Sequence, residues 1–232
     1  MTVDTKTVLI TGSNRGIGLA FARHYVANGW KVIAAARDVD GATDLKELAV
    51  SRVVSLDVAD ENSIAKAAEQ LEGEPIDLLV NNAGMSHGAD LLGVAKADLM
   101  KLFEVNAVGP FLVTKAFLPN LKLAVAKRGS ATVAQISSQR GSIAQNDTGG
   151  KYGYRTSKAA LNMLNTSLAI DLRSDKITTL ALHPGYVVTR MTGHKGEVTP
   201  DESVAGLTKV ITNAKPVDSG KYLDFLGNSL PW

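Results

Sequence analysis

The sequence predicts an α/β protein built on a parallel sheet with helices on both faces. Three observations carry this. Short apolar runs alternate along the chain with longer stretches of helical period, the pattern of βαβ units. The runs are apolar throughout, as strands covered on both faces are. No repeat, low-complexity tract or linker divides the 232 residues, so a single domain over residues 1–232 is expected.

The elements follow in order. TVLIT (7–11) is the first strand, followed by the turn TGSNRGIG (11–18) and a helix over Ile17 to Ala27. KVIAAA (31–36) and RVVSL (52–56) are the second and third strands, and Asn62 to Leu71 is helical. IDLLV (76–80) is the fourth strand. A helical stretch from Lys96 to Lys122 comes next, interrupted by Gly109 and Pro110. ATVAQIS (131–137) is the fifth strand and ITTLAL (177–182) the sixth. Between those two, residues 151–172 read as a helix, with Leu161, Leu164, Leu168 and Leu172 forming an apolar stripe.

Composition excludes several functions. Formal net charge is +2, and there is no clustered basic face of the kind nucleic acid requires. Cysteine is absent, which rules out disulfides, zinc–thiolate sites and cysteine nucleophiles. The polar start MTVDTKT lacks the pattern of a secretion signal. No apolar run reaches the ~18 residues of a membrane span. A cytoplasmic, soluble protein without a membrane partner is expected. His24, His87, His183 and His194 show no metal spacing; each is expected to be satisfied or exposed, and no metal is expected.

Ligands of open α/β sheets bind beyond the carboxyl ends of the strands. After the first strand, Gly12, Gly16 and Gly18 stand between strand and helix. Glycine permits positive φ and close approach to a ligand, and a helix N-terminus offers N–H groups to phosphate. Along the helix at 151–172, positions four apart share a face. Tyr154 therefore neighbours Lys158, whereas Tyr152 neighbours Thr156. A nearby ammonium favours phenolate and would lower a tyrosine pKa from ~10, giving an acid for reduction and a base for oxidation. Pro110 leaves the carbonyl four residues back, that of Asn106, without its helical partner.

TGxxxGIG (11–18), NNAG (81–84) and YxxxK (154–158), in this order and over a chain of this length, resemble the short-chain dehydrogenase/reductase family. The resemblance covers essentially the whole chain. It implies a three-layer Rossmann fold with a seven-stranded, mostly parallel sheet in the order 3-2-1-4-5-6-7. It also implies an NADPH-dependent oxidoreductase that reduces a ketone or aldehyde by hydride transfer. By the same resemblance Tyr154 donates the proton and Lys158 holds the nicotinamide ribose. Asn106 holds a relay water. Of Ser137 and Ser138, at the end of the fifth strand, Ser138 polarises the carbonyl. The 16 residues from Ser138 to Tyr154 exceed the usual family spacing, so both serines remain candidates.

Expected cofactor contacts are Gly12, Asn14, Arg15, Gly16, Ile17 and Gly18 in the first turn, Asp57 and Val58 after the third strand, and Asn82, Ala83 and Gly84 after the fourth. Pro184, Gly185, Val187 and Thr189 follow the sixth strand. Arg37, about 20 residues past the glycine loop, stands where NADP enzymes place an arginine for the 2′-phosphate, and Arg15 approaches from the other side. This favours NADP(H). If Asp38 faces the ribose instead, NAD(H) is expected. The short segment from Arg190 to Pro200 implies a small lid and an open pocket walled by Met85, Gln145, Tyr186 and Met191. TPDESVAGL and GKYLDFLGNSLPW resemble the branch of C-factor-like and sniffer-like carbonyl reductases. A regulatory or signalling scaffold that binds NADP(H) is the alternative. Family members are often homodimers or homotetramers, and the expected partner is a small carbonyl or alcohol substrate.

Overall fold

A computed structural model describes residues 5–87 and 90–232; most of the polar lead-in, residues 1–4, lies outside them. Seven strands form one sheet in the order β3-β2-β1-β4-β5-β6-β7. They are β1 (Thr7–Thr11), β2 (Lys31–Ala36), β3 (Arg52–Ser55), β4 (Leu78–Asn81), β5 (Ala131–Ile136), β6 (Ile177–His183) and β7 (Tyr222–Asp224). All six strand pairings are parallel, and at the β7 edge Leu223 makes an isolated antiparallel bridge to Ser229.

The apolar runs feed two cores. Strand side chains point alternately to opposite faces. Val8, Ile10, Val32, Ala34, Leu78 and Val80 pack on one face with Leu19, Phe21, Val204 and Leu207. Leu9, Ile33, Ala35, Leu79 and Val133 pack on the other with Ile64, Val113, Leu121 and Leu168. The first face is thus covered by α1 (Gly16–Ala27) and, far along the chain, by the helix Pro200–Asn213. The second is covered by α3 (Glu61–Gln70) and the helices between β4 and β6. A one-turn helix, α2 (Thr43–Lys46), lies between β2 and β3.

The expected stretch from Lys96 to Lys122 is helical, but it runs on through Gly109 and Pro110 and breaks at Phe117. It divides into α4 (Lys96–Phe103), a π-helical turn (Glu104–Val108), α5 (Gly109–Ala116) and α6 (Leu118–Arg128). Pro110 and Pro119 sit in the first turns of α5 and α6; at the start of α6, after the break, a missing N–H costs no hydrogen bond. The widened turn carries Asn106, which is fully buried, and π turns recur at functional positions.

The long helix α7 (Tyr152–Asp171) starts abruptly. Gly149, Gly150 and Lys151 are all left-handed, at φ 59°, 63° and 48°. Arg155 pins this turn, donating from Nε to the Gly149 carbonyl at 3.1 Å and from Nη2 to Thr148 Oγ1 at 2.7 Å. The last helix, α8 (Pro200–Asn213), begins in a capping box: Glu202 N donates to Thr199 Oγ1 at 3.2 Å, and Thr199 N to Glu202 Oε2 at 2.9 Å. No helix among the described residues is long and apolar enough to cross a membrane.

Candidate active site

The glycine loop lies over the carboxyl ends of β1 and β2. Ser13 ties it down, donating from both its N–H and its Oγ to the Ala35 carbonyl at 3.0 Å. Gly12 has φ +63°, and a Cβ there would lie 2.9 Å from Ala83 Cα. A Cβ on Gly18 would meet the Gly12 carbonyl oxygen at 2.1 Å. Neither site accepts alanine unless the loop moves. The helix behind the loop differs from α3 and α8. Those carry side-chain caps and acidic first turns, whereas α1 has neither. Its N-terminal amides meet no protein carboxylate, which suits them to an anionic ligand.

NNAG closes this loop from the β4 side. Asn82 donates from Nδ2 to the carbonyls of Thr11 at 3.0 Å and Gly12 at 3.1 Å. Thr11 Oγ1 in turn accepts from the amides of Asn82 and Ala83, each at 3.0 Å. Asn81 turns the other way, reaching Thr114 Oγ1 at 3.0 Å and the Pro110 carbonyl at 3.2 Å. The motif therefore locks β1, β4 and α5 together while leaving Gly84 open on the site. A Cβ on Gly84 would lie 3.2 Å from Asn106 Oδ1 and 3.7 Å from Lys158 Nζ.

Arg37 and Arg15 are both exposed, on the rim where β2 meets the glycine loop. Asp38 is engaged locally: its Oδ1 accepts from Gly41 N at 2.9 Å. Asp57 faces its own turn, accepting from Ala59 N at 3.0 Å, and Val58 is buried against Gly109. On the far side, Thr189 Cγ2 would sit 3.5 Å from a Cβ on Gly16, so the loop after β6 faces the glycine loop across the cleft. Ser203 of α8 anchors that segment, donating to the Pro184 carbonyl at 2.6 Å. Gly185 has φ +86° and lies against Phe225. Val187 is buried and pairs with Val198 in a β-bridge. The stretch after Thr189 is pinned closely rather than free, with Thr192 Oγ1 donating to the Val187 carbonyl at 2.7 Å.

Tyr154 and Lys158 lie together, with Lys158 Nζ 5.9 Å from the centre of the Tyr154 ring. Lys158 is buried, and Nζ donates to the Ile136 carbonyl at 2.8 Å. Burial pushes its pKa down from 10.5 to about 8. The expected lowering of the tyrosine pKa by this ammonium is not what the structure shows. Burial raises the Tyr154 pKa; the Ser138 hydroxyl and, more weakly, the Arg140 guanidinium pull it back. Desolvation penalises both charged forms, and the ammonium spends its reach on a backbone carbonyl.

The two serines point apart. Ser138 Oγ accepts from Arg140 N at 3.2 Å, and its hydroxyl is the first of the groups that lower the Tyr154 pKa. Ser137 Oγ donates to Asn162 Oδ1 at 2.5 Å, away from the phenol. The Asn106 side chain binds both backbone groups of Met85, accepting at 2.8 Å and donating at 2.9 Å, and donates to Ser157 Oγ at 3.1 Å. Gly141 lets the loop after Ser138 touch α7: a Cβ there would lie 2.9 Å from the Lys158 carbonyl carbon.

Of the expected pocket wall, Tyr186 and Met191 are about half exposed at 47% and 50%. Gln145 Oε1 is buried with no protein partner. His183 departs from expectation. It is partly exposed, but its Nδ1 is buried without a hydrogen-bond partner among the described residues, and burial pushes its pKa down to about 4. A groove of about 540 Å³ between α8 and β7 contains none of the predicted site residues. Sequence reasoning missed Thr11, Ser13, Gly141, Ser157, Asn162 and Tyr222. Their signal was faint, since small polar residues at strand ends and along a helix fit any turn.

The chain's relatives agree with this geometry. Residues 6–199 match the family model described as short chain dehydrogenase. The C-signal protein of Myxococcus xanthus is 43% identical over 159 residues, spanning 68% of this chain and 93% of that one. Among solved structures, an NADPH-bound carbonyl reductase from chicken fatty liver superposes with a TM-score of 0.92 at 38% identity, over 99% of this chain and 100% of that one. The carbonyl reductase Sniffer of D. melanogaster gives 0.93 at 30% identity, over 98% of this chain and 100% of that one.

Proposed function

Because this chain belongs to the short-chain dehydrogenase family, we propose that it is an NADPH-dependent reductase of ketone or aldehyde carbonyls, folded as one catalytic domain. The observation that carries this is the convergence of Tyr154, Lys158, Ser138 and Asn106 at the open end of the glycine-loop cleft. The residues fit a dinucleotide. The uncapped N-terminus of α1 suits a pyrophosphate, and Arg37 with Arg15 supplies two guanidinium groups for a 2′-phosphate. One oxygen of the Asp38 carboxylate is engaged by Gly41 N. The NADPH-bound relative supports the same cofactor.

The bound nicotinamide supplies the hydride. This chain's residues do the rest. The Ser138 hydroxyl stabilises negative charge developing on the carbonyl oxygen. Tyr154 gives that oxygen its proton. Lys158 holds its place through the Ile136 carbonyl beside Gly84, and would hold the ribose of a bound cofactor. Asn106 fixes the strand-end backbone at Met85 beside them.

The test is NADPH consumption across a panel of aldehydes, ketones and quinones, with Tyr154→Phe as control. Turnover that falls about 10²-fold or more in the variant, with NADPH still bound, is expected. Tight binding without turnover on any member of the panel would instead favour a nucleotide-sensing scaffold. The likeness to a C-signal protein gives that second reading its one support.

A further inference from the structure

The chain past β7 turns back toward the site. Asp224 builds the turn: its carboxylate accepts from Leu226 N at 2.9 Å, Asn228 N at 2.8 Å and Asn228 Nδ2 at 2.9 Å. Leu223 and Ser229 form an antiparallel bridge, and Leu230 N donates to the Tyr222 carbonyl at 2.9 Å. This return lays Trp232 on Tyr222, with ring centres 5.2 Å apart and planes 20° from parallel.

Both aromatic residues hold the loop that carries Ser138. The Tyr222 hydroxyl donates to the Ser138 carbonyl at 2.5 Å. The Trp232 main-chain oxygen accepts from Ala144 N at 2.9 Å and from Ser142 Oγ at 3.3 Å. One contact grips the loop where it leaves β5, and the other grips it six residues later. From α7, Asn162 binds Ser137 on one side and the Gly141 carbonyl at 3.5 Å on the other. Within itself the loop has a short 3-10 turn, Gln139–Gly141, capped by Ser138 Oγ, and a second turn in which Ser142 Oγ accepts from Gln145 N. It also carries Ile143, which is 80% exposed, and Gln145. Tyr222 is buried, and burial keeps its phenol protonated, so the donor persists at any working pH.

We propose that Tyr222 and Trp232 are positioning residues that clasp the loop from Ser138 to Gln145 and so set the substrate side of the site. This deepens the carbonyl-reductase reading and rests on it. Tyr222 fixes the backbone from which the Ser138 hydroxyl projects. Trp232 fixes the stretch that presents Ile143 and Gln145. The two are coupled through the stacked rings, so loosening one loosens the other. Catalytic geometry tolerates little drift, and a displacement of about 1 Å can cost about 10²-fold in rate.

The test compares Tyr222→Phe, Trp232→Ala and Trp232→Phe in the full chain. Tyr222→Phe removes only the hydroxyl and is expected to lower kcat about 5–20-fold with NADPH affinity unchanged. Trp232→Ala is expected to raise KM for the carbonyl about 5–10-fold with KM for NADPH unchanged, and Trp232→Phe, which keeps a stacked ring, restores it. Hydrogen exchange supplies a readout independent of turnover. Amides of residues 138–145 should exchange faster in Tyr222→Phe and Trp232→Ala, while those of β1 and α1 do not change. Unaltered exchange in the loop would overturn the proposal. So would a uniform loss of NADPH affinity and stability in all three variants, which marks a purely structural role. If the wild type reduces no carbonyl, the functional reading fails while exchange still decides the clasp.

Discussion

Replacing Lys158 with methionine is expected to stabilise the cofactor-free protein while abolishing its activity. Lys158 is only 5% exposed, and the Ile136 carbonyl accepts from its ammonium. The fall in its pKa from 10.5 to about 8 corresponds to a burial cost of about 3 kcal/mol at neutral pH. Methionine fills similar volume without charge and forfeits the hydrogen bond, worth about 1–2 kcal/mol. A net gain of about 1–2 kcal/mol should raise Tm by about 3–6 °C. Direction with pH follows from proton counts. The unfolded lysine keeps its proton up to 10.5 and the folded one sheds it near 8. Between those values the unfolded state binds more protons, so wild-type stability rises with pH. Methionine lacks this rise of about 2–3 kcal/mol by pH 10, so the two stabilities should converge above pH 8 and cross before pH 10. Thermal unfolding followed by circular dichroism checks this, on protein stripped of nucleotide because a bound ligand shifts Tm. A variant that melts below the wild type at pH 7, or a gap that stays constant to pH 10, would refute the reasoning.

Three further outcomes are expected. Arg37→Ala should raise KM for NADPH about 10–100-fold, the effect of losing a charge-assisted contact, and leave KM for NADH within about twofold; equal effects on both cofactors would remove Arg37 from the phosphate site. Gly141→Ala should cost about 1–3 kcal/mol in denaturant unfolding, because its Cβ would press on the α7 backbone 2.9 Å away; unchanged stability would show that the loop yields freely. His183 is held neutral by burial, with its pKa lowered from 6.5 to about 4, so its contribution is present above pH 6.5 and is lost as pH falls toward 4. A His183→Leu chain should therefore lose less stability than the wild type between pH 6.5 and 4, measured by urea unfolding.

The sheet was legible because both faces of its strands are buried. Buried strands carry uninterrupted apolar runs, and six of the seven could be located from such runs. β7 escaped because it has only three residues and lies on the edge, where Tyr222 and Leu223 make no run. Helix α8 was not located from the sequence, although Thr199 and Glu202 form a capping box at its start. Nor was the π turn, since the sequence of a widened turn differs from that of a kink only in what packs around it. Here that is Asn106, bound to Met85 and Ser157. Tyr154 and Lys158 could be paired from their spacing alone, because four residues on a helix fix a shared face. The electrostatics could not be read in this way. Spacing says that two groups meet, whereas burial, which decides their pKa values, comes from residues far apart in sequence.

Burial acts on the two partners in complementary ways. It holds the Tyr154 phenol protonated and weakens the hold of Lys158 on its proton. A protonated phenol is the form that can give a proton to a nascent alkoxide. The cation that relieves the phenol is Arg140, on the same loop as Ser138 and beyond the reach of the YxxxK pattern. The groups that tune the acid therefore lie on the segment between β5 and α7. Tyr222 and Trp232 hold that segment from outside. The family motifs bring Tyr154 and Lys158 together, and the less regular parts of the chain set their protonation.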